Sequence, residues 1–490
     1  MKKFLILLLS VAAAVCGAFA LAACDDKPTY YKLTLDDGGV IDYLTVNDEE
    51  HEVGPYDGAS VKSGYEVKFR ILPLGNTTGE PVVTANGVQL IPDENGYYSF
   101  VMKADTTVSV SGVVRKYDVT FDKTYNGDEL RIAYYDLEGN ELGDEQFAMG
   151  SQVKFKVKVS VYYDPDKEYE VQANTTILTP DEDDVYTIEE VTGNVTVNVF
   201  GLEQEEDFLI RDNCGSGDPD DPYLISRPID LYVLAGMVNS SFYSQFGGYS
   251  YKLVDDIDME GEQLYIIGDG LSGNAYFRGT FDGNDKTISN YRIEDTFIEQ
   301  TEYTEQFMQY IGLFGIVAST SSQPATITNL HLKNFTITVD DADAYDANVC
   351  AGGLIGLGNG ANVVGCTAEG KITVAADEGN FAFVGGLIGR QVSYANSAYT
   401  ARFSSGVYSC STDVEIQCPA GYTYSAGGIT GSLISAEERT IAFIVNSYST
   451  GSITGNVMRA GGIAGEMAES TSVSGCYSTG RIRAYCPIPQ

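Results

Sequence analysis

The sequence contains no tryptophan and only two histidines, His51 and His331. A histidine-based zinc site or a Ser-His-Asp triad needs partners that converge in space, and no motif singles out such partners here. The His-Glu-x-x-His pattern of zinc peptidases is also missing. We therefore expect both histidines to be ordinary structural residues, and we expect no catalytic residue, no metal and no other cofactor.

Basic residues are scarce as well. The chain has 30 Lys and Arg against 69 Asp and Glu, which gives a net charge of −39. Such a surface repels nucleic acid, whose binding depends on neutralising phosphates, and it disfavours electrostatic attachment to a membrane surface. Nucleic acid is therefore excluded as a partner, whereas calcium or a basic partner remains open.

Two acidic turns are the candidates for calcium. Asp218, Asp220 and Asp221 lie in GDPDDPY, and Asp282 and Asp285 lie in FDGNDK. Calcium prefers six or more oxygen ligands, and neither turn has the complete EF-hand loop. The expectation is that both are solvated turns, with calcium as the alternative.

Proline is also rare, with 14 residues, and no apolar run after residue 24 is long enough to span a bilayer. Valine, threonine, isoleucine and tyrosine dominate instead, a composition typical of strands. A chain of 490 residues exceeds the size of one ordinary core, so several domains are expected.

The N-terminal residues 1–24 have the pattern of a secretory signal: two lysines, an apolar run and small residues before a cysteine. The last four residues, Leu-Ala-Ala-Cys24, resemble the bacterial lipobox. That resemblance implies that Cys24 is diacylated and becomes the new N-terminus, so the partner at this end is a membrane reached through lipid. Residues 25–29 form an acidic tether. The alternatives are an ordinary signal peptide with an incidental cysteine and an uncleaved membrane anchor.

Residues 30–116 and 117–202 read as two copies of one β-module. Apolar and basic residues alternate in GYEVKFRI of the first copy and in GSQVKFKV of the second, the period of a half-buried strand. The corresponding residues are Phe69 with Phe155, Asn86 with Asn174, and Val108 with Val195. We predict two antiparallel β-domains that act as a spacer, with ligand binding through their loops as the alternative.

Residues 203–309 are predicted to lead into a solenoid and to form its first coils. A polar turn precedes an apolar segment, 228–239, which we predict to be a helix with Asp230 as its N-cap. A short helix at the start of a β-solenoid covers the first coil and protects its edge.

Residues 310–490 repeat one glycine-rich motif. AGGLIG at 351–356 returns as VGGLIG, AGGITG and AGGIAG, and the first glycines are 33, 42 and 34 residues apart. Such a period indicates stacked units, in which glycine permits sharp bends with positive φ and close backbone packing. The predicted structural glycines are Gly352, Gly353, Gly356, Gly385, Gly386, Gly389, Gly427, Gly428, Gly431, Gly461, Gly462 and Gly465.

These motifs resemble the GLUG-motif family of bacterial surface proteins, which includes streptococcal IgA peptidases and filamentous haemagglutinin-type adhesins. The resemblance implies an all-β chain in which a right-handed parallel β-helix, or solenoid, follows two small antiparallel β-domains. We expect roughly eight coils and a length of about 40 Å at the spacing of neighbouring strands.

Cysteines recur within these repeats. Cys366, Cys410 and Cys476 occupy one repeat position, where the remaining copy has Ser447. Small thiols stacked inside the coil explain this pattern, because a free cysteine packs as a small hydrophobe. Disulfides are the alternative in an extracellular setting, with Cys350–Cys366 and Cys410–Cys418 as conceivable bridges.

Taken together, the sequence predicts a lipid-anchored protein on the extracellular face of the cell envelope, whose solenoid binds protein or glycan ligands. Tyrosine-rich loops at 242–251 and 394–400 motivate the binding hypothesis. The alternatives are a polysaccharide-active enzyme and a purely structural spacer. An enzyme needs a cluster of acids on one face, and within the regular coils Arg390 and Glu415 look isolated.

Overall fold

The computed structural model describes residues 28–53, 57–72, 76–125, 132–240, 242–271, 275–294, 308–340, 348–375, 381–395, 402–435 and 440–485. Strands account for 57% of the residues and helices for 5%, so the chain is all-β, as predicted. Two compact units are present. Unit 1 contains the residues up to Lys158 together with Tyr169–Gly201, and unit 2 contains Val159–Glu168 and Leu202–Gln490.

Unit 1 contains the first sixteen strands, apart from the last residue of β12. They form a nine-stranded sheet, a four-stranded sheet (β3-β2-β5-β8) and a three-stranded sheet (β10-β12-β15). The strands are β1 (Tyr30–Asp36), β2 (Ile41–Val46), β3 (Glu49–His51), β4 (Ser60–Lys62), β5 (Glu66–Ile71), β6 (Thr77–Ala85), β7 (Val88–Gln89), β8 (Tyr97–Val101), β9 (Thr106–Phe121), β10 (Ile132–Tyr135), β11 (Glu145–Ala148), β12 (Val153–Val159), β13 (Glu170–Ala173), β14 (Thr176–Leu178), β15 (Tyr186–Ile188) and β16 (Val195–Phe200).

The long strand β9 belongs to both predicted modules. Its first part pairs in parallel with β1, where Leu33 lies opposite Thr106, and its second part pairs in parallel with β16, where Val119 lies opposite Val195. The predicted module boundary at 116/117 therefore falls inside one continuous strand. Each module contains one parallel pair of strands, β1 with β9 or β16 with β9, and its other strand pairs are antiparallel. Strand β9 is both the last strand of the first module and the first strand of the second.

Asn86 and Asn174, which the sequence pairs between the modules, make the same contacts. The pairing of Val108 with Val195 is wrong by two residues, because Val108 follows Thr107 in the first module and Val197 follows the equivalent Thr196 in the second. Asn86 and Asn174 both adopt a positive φ, of 49° and 53°. The Asn86 side-chain oxygen accepts a hydrogen bond from Thr107 N at 2.8 Å, and Asn174 accepts one from Thr196 N at 2.9 Å. The equivalence of the two modules is thus visible in their turn geometry.

The aromatic cores of the modules match in the same way. Phe69 is buried and stacks on Tyr98, with ring centroids 5.5 Å apart and an interplanar angle of 19°. Phe155 is also buried and stacks on Tyr186 at 5.8 Å and 19°. One packing solution therefore serves both modules.

Within its described residues, unit 2 contains one α-helix, one 3-10 helix and the remaining strands. Its elements are β17 (Tyr223–Ile225), α1 (Pro228–Asn239), a 3-10 helix (Ser244–Gly248), β18 (Ser250–Leu253), β19 (Ile257–Asp258), β20 (Thr280–Ser289), β21 (Arg292–Glu294), β22 (Met308–Ile311), β23 (Phe314–Ala318), β24 (Thr326–Asp340), β25 (Asn348–Gly352), β26 (Ile355–Asn359), β27 (Asn362–Val364), β28 (Thr367–Ala375), β29 (Ala382–Gly385), β30 (Ile388–Val392), β31 (Tyr394–Ala395), β32 (Arg402–Phe403), β33 (Ser405–Tyr408), β34 (Ser411–Gly427), β35 (Thr430–Ile434), β36 (Ala442–Val445), β37 (Tyr448–Ser449), β38 (Ile453–Gly461), β39 (Ala464–Met467), β40 (Thr471–Ser474), β41 (Tyr477–Ser478) and β42 (Ile482–Tyr485).

These strands build a parallel β-helix, which confirms the predicted fold class. A 19-stranded sheet winds around the coils, and a five-stranded sheet (β23-β26-β30-β35-β39) closes one side. One column of the large sheet runs in register through eight coils, with neighbours roughly 4.8 Å apart. The column consists of Tyr223, Tyr251, Phe281, Ile327, Val363, Val407, Ile444 and Val473.

A second column is made of isoleucine alone. Its members are Ile293, Ile337, Ile372, Ile416, Ile453 and Ile482. The first five are buried, and the last is 42% exposed. Because β-branched side chains pack well on a pleated surface, identical residues in register fill the interior without a gap.

Helix α1 has the predicted bounds but not the predicted cap. The N-cap is Arg227, and Asp230 lies three residues into the helix. From there its buried carboxylate accepts hydrogen bonds from Ser226 N at 2.8 Å and Arg227 N at 3.1 Å, and it pairs with Arg211 at 2.7 Å. Asp230 thus accepts hydrogen bonds from backbone N–H groups just before the helix. It does so from inside the first turn and not from the predicted N-cap position. The apolar face of α1 joins the core of the first coils, as expected.

Within the described residues, no helix has the length and apolar character needed to cross a membrane.

The isoleucine column yields a stability prediction. Replacing Ile372, which is fully buried, by alanine leaves a cavity between two coils and should lower the free energy of unfolding by about 2–5 kcal/mol. The matched control is Ile482→Ala at the exposed end of the same column, which should cost about 0.5 kcal/mol. Urea unfolding followed by circular dichroism measures both. Equal effects of the two substitutions would contradict the packing described here.

Candidate ligand-binding face

The glycine motifs form one corner of the β-helix, where the chain passes from the large sheet to the five-stranded sheet. Their first glycines form a single in-register column, Gly352, Gly385, Gly427 and Gly461. The strands that leave the corner, β26, β30, β35 and β39, are likewise in register. The four motifs therefore occupy the same place in four consecutive coils.

The three glycines of each motif meet different neighbours. A Cβ atom on the first glycine, for example Gly385, would lie less than 3.0 Å from the carbonyl oxygen three residues ahead. On the second, Gly386, it would collide with the carbonyl oxygen of Gly428 in the next coil. On the third, Gly389, it would lie 2.7 Å from Ala351 N in the preceding coil. Each glycine thus permits a different close approach of the backbone.

Positive φ is not the reason for these glycines, so that part of the prediction is wrong. None of the twelve adopts a left-handed conformation. Residues with left-handed φ occupy another corner of the same coils. They follow the strand segments of β24, β27, β33, β36 and β40 that pair with one another in register. They are Asn329, Gly365, Ser409, Asn446 and Gly475, with φ between 49° and 68°. Asparagine tolerates this region because its side chain bonds locally.

The repeat-position cysteines follow directly after these left-handed residues. The Cys410 sulfur accepts a hydrogen bond from Cys366 N at 3.3 Å, and the Ser447 hydroxyl accepts one from Cys410 N at 3.1 Å. The side chains therefore stack from coil to coil, as the thiol-stack prediction states. Among the described residues, the cysteines at 214, 350, 366, 410, 418 and 476 are free thiols, whereas Cys486 lies outside the described residues.

Burial makes two further thiols chemically inert. It raises the pKa of Cys350 to about 12 and the pKa of Cys418 to about 11. Both are therefore protonated at neutral pH, and neither provides a thiolate nucleophile.

Arginine and aromatic side chains gather next to the glycine corner. We define the arginine–aromatic face as Phe381, Phe383, Arg390, Tyr424 and Arg459. These residues come from three consecutive coils, on strands β29, β30, β34 and β38 or, for Phe381, directly before β29. Register places them together, because Phe383 lies opposite Ser425, the neighbour of Tyr424, and Ser425 lies opposite Arg459.

The aromatic rings of this face pack edge to face and stay accessible in part. Tyr424 lies 5.2 Å from Phe381 and 5.5 Å from Phe383, measured between ring centroids, at 89° and 66°. Phe383 is buried at 7% exposure, whereas Phe381 is 50% exposed. The buried ring holds the others, so the apolar part of the face is fixed by packing.

Each arginine covers one ring. The Arg390 guanidinium carbon is 5.0 Å from the Phe383 centroid, and that of Arg459 is 4.4 Å from the Tyr424 centroid. Arg459 also forms an ion pair with Glu466 at 2.7 Å. Arg390 is half-buried, and its Nε is buried without a hydrogen-bond partner. Cation–π contact is therefore what holds Arg390 in place.

The charge of Arg390 reaches residues of earlier coils. Burial raises the pKa of the Tyr310 hydroxyl, and the positive charge of Arg390 opposes that rise. The same opposition acts on Cys350. The charge of Arg390 thus acts on residues of the two preceding coils, in a chain of strongly negative net charge.

The members of this face are distant along the chain, so no single stretch of the sequence indicates it. Arg390 looks isolated in the sequence, yet it lies five residues after Gly385, and Glu466 has the same offset from Gly461. Phe383 and Arg459 each lie two residues before the first glycine of their motif. An alignment of the repeats on their first glycine therefore places Phe383 level with Arg459, and Arg390 level with Glu466. Glu415 stays apart, on the surface, and accepts a hydrogen bond from Gln417.

The other predicted sites gain little support as ligand sites. Cys24 lies outside the described residues. His331 contacts the Thr367 hydroxyl at 2.9 Å, and Asp282 accepts a hydrogen bond from Asn284 N within its own turn. Asp218 pairs through its backbone with Asp221. Within the described residues, no group of three or more His, Cys, Asp and Glu residues is placed to hold a metal ion.

One of the two tyrosine-rich loops differs in part from the expectation, and the other is largely outside the described residues. In 242–251, Phe242 is 87% exposed, but Tyr251 is buried in the core of the first coils. Much of this loop is therefore packing, not display. The 394–400 loop lies mostly outside the described residues, which include only Tyr394–Ala395 of it, in a hairpin with Arg402–Phe403.

Comparison with known proteins gives distant similarities. No family model matches the chain. A stretch of 195 residues is 28% identical to Halomucin of Haloquadratum walsbyi, over 35% of this chain and 2% of that protein. The chain thus spans only a small fraction of the curated relative.

Two solved structures share low similarity. One, from Bacteroides ovatus and provisionally named as an immunoglobulin A1 protease, is 16% identical with a TM-score of 0.36, covering 57% of this chain and 81% of that one. The other, named IgA1 Protease, is 11% identical with a TM-score of 0.29, covering 76% and 28%.

The corner geometry predicts a penalty for a single methyl group. Gly385→Ala places a Cβ against a backbone carbonyl that cannot move without shifting the strand, and should destabilise the protein by about 1–3 kcal/mol. The control is Gly236→Ala in helix α1, where no atom outside the helix's own backbone would lie within 4 Å of the new Cβ, and alanine should stabilise the protein by up to about 1 kcal/mol. Differential scanning calorimetry of both variants checks this. An unchanged Tm for Gly385→Ala would refute the crowded corner.

Proposed function

We propose that this chain is a cell-surface protein whose β-helix binds protein or glycan ligands. In this proposal Cys24 carries the lipid that attaches the chain to a membrane, and residues 30–202 act as a spacer. The resemblance of the repeats to GLUG-motif surface proteins and the 195-residue similarity to Halomucin support a surface location.

The arginine–aromatic face is the observation that carries the binding proposal. It exposes an aromatic side chain, Phe381, beside two arginines, a composition enriched where proteins bind ligands. Ring packing and cation–π contacts fix the side chains before a ligand arrives, so little conformational entropy is lost on binding. The parallel ladder beneath them supplies a rigid base.

The chemistry of the face suits a ligand that is partly apolar. Aromatic rings receive the C–H surface of a sugar or an apolar side chain, and an arginine offers hydrogen-bond donors in a planar fork. Burial keeps the Cys350 thiol protonated, so this neighbour of the face contributes no nucleophile. The exposed ring and the arginines support recognition, and a polysaccharide-active enzyme remains an outcome to be tested.

The binding proposal is tested with the purified protein on arrays of glycans and extracellular-matrix proteins. We expect retention of a small set of ligands, and a loss of about tenfold or more in affinity for Phe381→Ala, as for a central aromatic contact. Phe242→Ala is the matched control, because Phe242 is more exposed, at 87%, but lies in the lead-in of the β-helix, and it should leave binding unchanged.

If the protein retains no ligand on either array, the binding proposal is contradicted and a purely structural spacer is favoured. Shortening of polysaccharide chains during incubation would favour the enzymatic alternative instead. Equal losses for Phe381→Ala and Phe242→Ala would place the ligand elsewhere on the chain.

The anchor is tested separately. Cys24→Ser removes the thiol that would receive the diacylglyceryl group, and the protein should lose incorporation of labelled fatty acid and move from the membrane fraction to the soluble fraction. Cys16→Ser, within the same leader, serves as control and should change neither readout. Fatty-acid labelling that persists in Cys24→Ser would show that the lipid is attached elsewhere.

A further inference from the structure

We infer that Arg390 receives the carboxylate of an acidic saccharide, whose ring packs on the neighbouring aromatic side chains of the arginine–aromatic face. This inference rests on the proposed binding function and specifies its ligand class.

The guanidinium of Arg390 is not fully satisfied within the fold. Its Nε is buried and makes no hydrogen bond, and in the described part of the chain no carboxylate lies within ion-pair distance of its guanidinium. The charge of this half-buried group therefore lacks a counterion, which costs free energy. A ligand carboxylate at the terminal guanidinium nitrogens would supply that counterion with a matching planar geometry.

The neighbours of Arg390 in the five-stranded sheet do not neutralise its charge. Leu357 lies beside it in the preceding coil and Ser432 in the following coil, and neither carries a charge. Glu466 lies one coil further, and its carboxylate already forms an ion pair with the Arg459 guanidinium, at an N–O distance of 2.7 Å. The positive charge of Arg390 is therefore left for a group from outside the chain.

The charge of the whole protein also bears on Arg390. With 69 acidic residues against 30 basic ones, carboxylates are plentiful, and Arg211, Arg227 and Arg459 pair with one. Arg390 differs from these three in its buried Nε without a hydrogen-bond partner, and a binding role explains that difference. The same net charge repels long polyanions at a distance, and this favours a ligand with few carboxylates.

A saccharide fits the face better than an extended peptide. Peptides that bind through main-chain hydrogen bonds add to free sheet edges. Strand β29 is paired on both sides, with β25 and β34, and β30 with β26 and β35, so the face offers no free backbone edge. It offers ring surfaces and the planar cation of Arg390, which has no ion pair, and together these match a pyranose ring that bears a carboxylate.

The test uses the full chain purified in detergent and two probes, tetragalacturonic acid and sialyllactose, each also as its methyl ester. Isothermal titration calorimetry should show that at least one acid binds about tenfold or more tightly than its ester. Arg390→Gln should lose that difference while binding the ester as before, and Arg390→Lys should keep part of it, because lysine retains the charge but not the planar fork. Lys333→Gln, an exposed loss of equal charge, is the control and should change nothing.

The outcomes separate the two proposals. Saccharide binding that is indifferent to esterification and to Arg390→Gln overturns this inference and leaves the binding function standing. An Asp-rich hexapeptide that binds at Arg390 more tightly than either acid overturns it in favour of a protein ligand. Failure to retain any glycan or protein on the arrays removes the binding function itself, and the inference with it.

Discussion

Every inner coil of the β-helix must turn a corner while another coil lies roughly 4.8 Å above it and another below it. At the glycine corner this leaves no room for a Cβ atom in three directions: ahead along the same coil, towards the next coil and towards the preceding coil. Three glycines per motif answer these three constraints. The rest of the architecture depends on this corner, because a coil that cannot turn there cannot pair with its neighbours in register.

Because the coils pair in register, equivalent side chains of successive coils lie in columns along the β-helix. Inside, it aligns six isoleucines and a ladder of small thiol and hydroxyl side chains. Outside, it brings residues 78 positions apart, such as Phe381 and Arg459, onto one face. Repeating units therefore provide a rigid base, and the few positions at which the repeats differ provide the specificity. Arg390 is such a position, since its equivalents in the neighbouring coils are leucine and serine.

Patterns that repeat along the chain could be predicted from the sequence, because repetition makes them visible. This holds for the in-register glycines, for the matched Asn86 and Asn174, and for the bounds of helix α1. Features that arise from contacts between coils could not. The carboxylate of Asp230 serves donors ahead of the helix, the glycines avoid collisions without positive φ, and the arginine–aromatic face joins residues from several coils. Their causes are distances, which a single sequence does not contain.

The most direct test of this account is an experimental structure of the coils, in which the Cα–Cα distances between the first glycines of the four motifs are measured. Gly352, Gly385, Gly427 and Gly461 should lie in a single row with successive Cα atoms about 4.8 Å apart. A row interrupted by another strand, or one motif displaced by a residue from its neighbours, would contradict the in-register corner on which both the fold and the binding face are built.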